Sequence, residues 1–467
     1  MNSKLQKGLS LLVIVVFLAC SLAPFVCMAF DQPIEGLENR VPTPFPSLFQ
    51  DGRPNVNFMA DLGAWFNDHF AFRQQLVTAN AKVTADVLGE SSGSSVIVGK
   101  DGWLFYVDTV NDYLGKDLMS GRQIYNAATN LRLMSEYAAA RGASFFFTIS
   151  PNKNSLYPAY MPDRYVPLSS DKNAVTLAEA LDGVAYVDLF AALQAESDIL
   201  YHPTDSHWNN RGAVMAYNAI LSATGKAYDT YADAAVSIQN IHRGDLEIML
   251  YPRAVAYSEE YVYDIPQTYT YMVGDSPEST LAVTSCEGKA GSLVMYRDSF
   301  GNTLLPLMAE QFGTAAFSRQ VPYDLSLIDQ YQADVVVFEI VERSLSFFQW
   351  QVPVMIAPER DMPDVSGDAA CTTLATERTE AEQGHLTGVV SDPAQIDDDS
   401  PIYICLTSGG ETRCYEASLR SMVNGGVTES EYGFEATVPA EAVAGDTVMR
   451  VIAQKDGAWR CIGTQTF

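Results

Sequence analysis

Between residues 125 and 340 the chain alternates short apolar runs with stretches of helical periodicity, and this alternation limits the fold more than any other feature. The run Ser144-Phe145-Phe146-Phe147-Thr148 within 143–149, and those at 184–187, 292–296, 315–317 and 335–340, suit buried strands. Helical periodicity fills the intervals 125–141, 173–181, 210–221, 302–312 and 325–331, with Asn209 placed to cap the third. About five strands interleaved with helices predict an α/β domain built on a parallel sheet.

The flanks read differently. Residues 31–57, rich in Pro and Asn, suggest an extended linker. The segment 60–88 carries Leu62, Trp65, Phe66 and Phe70 at helical spacing, and 96–106 reads as a hairpin around Lys100-Asp101-Gly102. Between 228 and 288 aromatic and β-branched residues indicate inserted β-hairpins over the sheet's edge. Beyond Gly367 strand-like alternation with frequent turn signals predicts a β-sandwich of about 95 residues. The expected division is 1–30 export segment, 31–57 linker, 58–366 α/β domain and 367–467 sandwich.

The chain of 467 residues has 57 acidic against 29 basic residues and a net charge of -28. Such a surface disfavours phosphate backbones, so no nucleic-acid partner is expected, nor docking to an anionic membrane by charge. Lys4 and Lys7 precede an apolar stretch from Leu11 to Phe30, which marks an export signal. Cleavage after Ala29 would release the chain, and without cleavage the stretch suffices to span a bilayer. Either outcome places the remainder outside the cytoplasm, secreted or anchored. Cys405 and Cys414 flank a two-residue turn at Gly409-Gly410, where a disulfide is geometrically reasonable, and Cys371 and Cys461 are a further candidate pair. No Cys or His spacing supports zinc, and neither metal nor cofactor is expected.

Chemistry concentrates in two stretches, Thr204-Asp205-Ser206-His207-Trp208-Asn209 and Tyr296-Arg297-Asp298-Ser299-Phe300-Gly301. They supply an acid, a base and a nucleophile in Asp205, His207 and Ser299. A serine hydroxyl needs a positioned base, and the base needs a partner that fixes its tautomer. Ser299 lies where a strand turns into a helix, near N–H groups that favour developing negative charge, although capping alone also accounts for a serine there. In an extended or turn segment the spacing of Asp205 and His207 lets the carboxylate hold one ring nitrogen while the other faces Ser299. His202 competes for the role of base, whereas His69, His242 and His385 read as isolated. Trp208 serves as a packing wall or a sugar-stacking platform.

The Asp205-Ser206-His207-Trp208-Asn209 box resembles the DHHW family and the related AlgX- and AlgJ-like proteins of polysaccharide O-acetylation, which carry SGNH-hydrolase-like domains. Further fragments agree in order: Asn39-Arg40, 98–105, 150–158, Gly244-Asp245-Leu246, 297–302 and 335–345, together covering roughly residues 35–350. The resemblance implies a flavodoxin-like, circularly permuted SGNH domain, with Ser299 as nucleophile, His207 as base and Asp205 as orienter. Arg297 departs from the commoner glycine and on this reading restricts the pocket or meets a substrate anion. Lys153, Arg319 and Arg343 either line the site or form structural ion pairs.

The resulting expectation is an extracytoplasmic acyl-transfer enzyme that O-acetylates a surface or secreted polysaccharide. The resemblance implies a membrane-bound O-acyltransferase as acyl supplier, and a sandwich that holds the glycan. A carbohydrate acetylesterase using the same triad, and a non-catalytic glycan-binding surface protein, stay open as alternatives.

Overall fold

A computed structural model describes residues 3–28, 30, 43–50, 52–88, 95–253, 256–361, 363, 365, 372–373, 376–380, 384–390, 392–424, 427–443 and 446–466. Ala29, the Asn39-Arg40 fragment, Gly367 and Cys371 lie outside the described residues, as do residues 31–42 and 51 of the expected linker. Within the linker's remainder, Phe49–Gln50 pairs antiparallel with Arg53–Pro54, so this part is a small hairpin.

The first helix, α1 (Ser3–Cys27), contains a 20-residue apolar stretch, Gly8–Cys27, with no part of it buried. Its Phe25 ring meets Phe66 of α2 (Phe58–His69) at 5.6 Å, and α3 (Arg73–Leu88) follows. Strands β1 (Val96–Val98) and β2 (Leu104–Tyr106) form the expected hairpin. The long helix α4 (Gly121–Ala139) starts at a capping box in which Ser120 and Gln123 satisfy each other's backbone N–H groups.

The central sheet takes β3 (Ser144–Ser150) and β4 (Ala185–Val187) before helix α5 (Asn210–Thr224). A separate hairpin follows, β5 (Val236–His242) with β6 (Ser258–Tyr263). Then come β7 (Thr270–Val273), β8 (Leu281–Ser285), β9 (Ser292–Tyr296), helix α6 (Gly301–Ala309), β10 (Thr314–Ser318) and β11 (Val335–Val341). The seven-stranded order is β4-β3-β11-β9-β10-β8-β7. The five strands from β4 to β10 run parallel, as the alternation predicted. The sheet as a whole is mixed, because β8 and β7 add to its edge antiparallel. The second inserted hairpin therefore extends the sheet in its own plane, where the sequence suggested a cover over the edge.

Alternate residues of each strand feed two cores, which explains the absence of polar alternation in these runs. Val335, Val337 and Phe146 join Leu304, Leu305 and Ile220 of α6 and α5 on one face. Val336, Phe338, Phe145 and Phe147 join Leu131 and Met134 of α4 on the other. The architecture is thus a three-layer α/β domain, a mixed sheet with helices on both faces.

The C-terminal part packs a six-stranded on a four-stranded sheet around Leu386, Ile404, Phe434 and Val451. Its strands begin ahead of Gly367, since Glu359–Arg360 pairs with Tyr415 and Cys414. Cys405 and Cys414 face each other across the turn and form a disulfide, with Cα atoms 4.0 Å apart. Polar residues of α4 hold the sandwich. Arg122 donates to the carbonyls of Asp398 and Ser400, and Asn126 to that of Glu431. Buried Asn130 accepts from Leu419 N and donates to Leu419 O at 2.9 and 2.8 Å, closing a strand edge as a neighbouring strand would. Asn130→Ala orphans both backbone groups. It should lower stability by about 2–3 kcal/mol, read from urea unfolding.

Candidate active site

Ser299 stands at the carboxyl end of β9, in the turn that opens α6. Asp298 fastens this turn: its Oδ1 accepts from Phe300 N at 2.8 Å and its Oδ2 from Val341 N at 2.7 Å. The N–H of Asp298 in turn donates to Glu339 Oε2, while Ser150 Oγ donates to Glu339 Oε1. Three adjacent strand ends are thereby tied together behind the serine. Burial, followed by the charge of Asp298, pushes the Glu339 carboxyl up to about 8.

The other stretch leads into α5, where Asn209 caps the helix by accepting from Gly212 N. The structure brings His207 to Ser299, with Nε2 2.8 Å from Oγ. On its far side, His207 Nδ1 lies 2.7 Å from Asp205 Oδ1. The buried carboxylate holds the proton on Nδ1, which leaves Nε2 to accept from the serine hydroxyl. Burial opposes the imidazolium, but the bond to Asp205 and the charges of Asp205 and Asp245 outweigh it, so His207 titrates above its ordinary 6.5. Burial likewise opposes the Asp205 carboxylate, yet hydrogen bonds from His207 and His242 hold it well below the usual range.

His242, which read as isolated in the sequence, is a partner of Asp205: its Nε2 donates to Oδ2 at 3.0 Å. It arrives at the end of β5, and its ring stacks on His202 at 3.6 Å. His202 is no rival base, being buried and bonded to Glu260 Oε2 at 3.1 Å. Asp245 is the other residue that sequence reasoning passed over. Its backbone N–H donates to Asp205 Oδ2, and its carboxylate accepts from Ser206 N and Ser206 Oγ. The visible signal was Gly244-Asp245-Leu246. A Cβ at Gly244 would lie 2.2 Å from the Thr204 carbonyl oxygen, so only glycine lets these segments meet. The triplets His202/His242/Glu260 and Asp205/His207/Asp245 have metal-ligand proximity, but the histidines already bond to Glu260 and Asp205, and Asp245 accepts from Ser206.

A cleft of about 700 Å³ opens over Ser299 and His207, lined also by Tyr106, Asp108, Asp245, Glu278, Asn302, Arg319 and Arg343. Of the basic residues left open between lining the site and ion pairing, Arg319 lines this cleft, and so does Arg343, whose guanidinium lies over the rings of Phe300 and Tyr106. Lys153 does not. It is buried beneath the loop, and its ammonium donates to the carbonyls of His202, Pro203 and Asp205, with burial pulling it down to about 7. Three N–H groups meet three carbonyls, which fixes the backbone that carries Asp205. Arg297 is also turned inward, 3% exposed, toward the carbonyls of Pro277, Ser279 and Asp298. Trp208 is a packing wall: it is 1% exposed, sits edge-on to Phe300, and donates to Thr303 Oγ1 at 2.6 Å.

An aligned carboxylate, imidazole and hydroxyl at a cleft suit nucleophilic attack on an acyl carbonyl. The base acts only when neutral, so turnover of an activated acetyl ester should fall as pH drops through the raised pKa of His207. The acid limb should therefore lie above 6.5. Asp205→Asn should move that limb downward and lower kcat about 10⁴-fold, as a pH–rate profile would record.

Residues 96–273 match the family model described as SGNH hydrolase-like domain, acetyltransferase AlgX. Among solved structures, a DHHW family protein from Eubacterium siraeum is 18% identical, with 54% of this chain and 95% of that chain covered, at a TM-score of 0.41. PatB1 of Bacillus cereus with a sulfonyl adduct is 15% identical, with 55% and 99% covered and a TM-score of 0.44. The O-acetyltransferase domain of Pseudomonas putida AlgJ is 17% identical, with 54% and 92% covered and a TM-score of 0.38. Comparison with curated proteins finds no match. Across residues 96–273, where the active-site loop, its buried lysine and the His242 hairpin all lie, the chain is similar to the AlgX family of SGNH hydrolase-like domains, the family that its ordered motifs resemble.

Proposed function

We propose that the protein is an extracytoplasmic acyl-transfer enzyme that O-acetylates a cell-surface or secreted polysaccharide through Ser299, His207 and Asp205. The observation that carries this reading is the bridge made by His207, 2.7 Å from Asp205 and 2.8 Å from Ser299 at the wall of an open cleft. The acetyltransferase description of the matched family supports the choice of transferred group.

Ser299 Oγ bonds to the acyl carbonyl carbon as His207 Nε2 takes the hydroxyl proton. The tetrahedral adduct then expels the donor's leaving group, which receives that proton, and an acyl-serine remains. A sugar hydroxyl gives its proton to His207 and adds to the acyl-serine. Collapse breaks the bond to Ser299 Oγ, which recovers the proton, and leaves the glycan ester. Asp205 stays ionised throughout and stabilises each imidazolium.

The apolar helix α1 acts in this reading as an export signal or membrane anchor. A membrane-bound O-acyltransferase supplies the acyl group, and the C-terminal sandwich holds the polymer. A carbohydrate acetylesterase is the second reading. It is favoured by the 26% exposure of the His207 side chain, which admits water to the base.

Purified protein incubated with 4-nitrophenyl acetate and candidate polysaccharides tests the choice. Transfer predicts acetyl on the polymer, and an esterase predicts acetate release that ignores it. Ser299→Ala should abolish both products, a loss of roughly 10⁴-fold or more. An unchanged rate in that variant would overturn the acyl-serine mechanism.

A further inference from the structure

Helix α1 leaves its apolar stretch uncovered, and near its carboxyl end Phe25 meets Phe66 of α2 at 5.6 Å. At about 1.5 Å per residue the 20 residues Gly8–Cys27 extend about 30 Å, the thickness of a hydrocarbon core. Lys4 and Lys7 hold the other end on the cytoplasmic side. Phe25 lies about half a turn short of Cys27, and so about 3 Å below the outer boundary when α1 spans. The ring contact then sets Phe66, and with it α2, at the level of the lipid headgroups.

The surface that accompanies α2 at this level is apolar and firmly built. Phe45, Leu48, Phe49, Val56 and Met59 are 62% to 93% exposed. The Phe45 ring sits edge-on to Trp65 of α2 at 5.1 Å, and Thr43 donates through N and Oγ1 to Asp68 Oδ2. Leu48 and Phe49 belong to the hairpin that ends at Asn55. Asn55 N donates to the Leu48 carbonyl at 2.9 Å, and Asn55 Nδ2 donates to Asp61 Oδ2 of α2 at 3.0 Å. Large apolar side chains displayed by one braced unit mark an interaction surface. Within residues 43–60 the charges are Asp51 and Arg53, which cancel, in a chain with a net charge of -28. Charge therefore neither draws this unit to lipid nor repels it. Aromatic and aliphatic side chains beside the end of a spanning helix suit the membrane interface.

We infer that Phe45, Leu48, Phe49, Val56 and Met59 form a foot that inserts among the outer headgroups of the bilayer that α1 spans. This rests on the reading of α1 as an uncleaved anchor and is independent of the acyl-transfer chemistry. The foot also carries the cleft. Helix α3 follows α2, and its Ala81 and Ala85 pack with Leu246 and Leu250 of the helix Asp245–Leu250. Ile248 and Met249 of the same helix line the cleft over Ser299. The cleft is thereby mounted on a support seated in the membrane surface, where an acyl group handed over at the bilayer arrives.

The test uses the full chain in phosphatidylcholine nanodiscs, with Cys20→Ser and Cys27→Ser and an NBD label on a single new cysteine. Leu18→Cys reads the anchor and Met59→Cys the foot. Glu179→Cys, exposed on the helix Asn173–Ala180, is the aqueous reference. The Met59 label should show blue-shifted emission, quenching by doxyl groups near the headgroups, and loss of the iodide quenching seen at Glu179. Phe45→Ser with Phe49→Ser should restore iodide quenching at Met59 while circular dichroism stays that of the parent. A Met59 label as open to iodide as that at Glu179, beside a Leu18 label quenched by lipid, would overturn the inference alone. A Leu18 label open to iodide, or a chain cleaved after Ala29, would overturn the anchor reading and the inference with it. Protection of Met59 in native membranes but not in nanodiscs would mean that a protein covers the foot, and would overturn the lipid assignment.

Discussion

The buried carboxylate of Asp205 is the contact on which the site depends. One oxygen takes the His207 ring and backbone, and the other takes His242 and the N–H of Asp245. A carboxylate removed from water must regain hydrogen bonds of equal strength, and four donors accomplish this. Those donors come from two loops distant in sequence, so folding the carboxylate inward also draws the loops together. Lys153 completes the arrangement from below by holding the carbonyls of the same loop.

Ser299 is positioned by a different device. Asp298 and Glu339 join the ends of β9, β11 and β3 through backbone and hydroxyl donors. Burial, and after it the neighbouring Asp298 carboxylate, make Glu339 retain its proton to a higher pH than usual. A protonated carboxyl can accept these bonds without a second buried charge beside Asp298. Base and nucleophile therefore stand on separately braced supports, joined by the 2.8 Å contact of His207 with Ser299 and by Trp208 against Phe300 and Thr303.

Much of this was legible in the chain. The apolar runs specified buried parallel strands because no polar face was left to meet water, and the structure pairs them in that sense. The antiparallel addition of β7 and β8 was not legible, since Thr270-Tyr271-Met272-Val273 suits any half-covered strand. The Cys405–Cys414 bond followed from local turn geometry. His242 looked solitary because its partner is 37 residues away and reaches it only through the β5–β6 hairpin.

What the sequence determined alone is the set of chemical groups and their local frames: an acid two residues before a base, a helix cap beside them, and a serine between strand and helix. Only the tertiary structure decided direction. Lys153 and Arg297 looked available to a substrate, yet both point inward, because buried carbonyls left without partners cost more than sheltering a cation that satisfies them. Arg319 and Arg343 face the cleft instead. The same residue type thus took opposite roles, for a reason set by the unpaired backbone around each side chain rather than by anything in its own sequence neighbourhood.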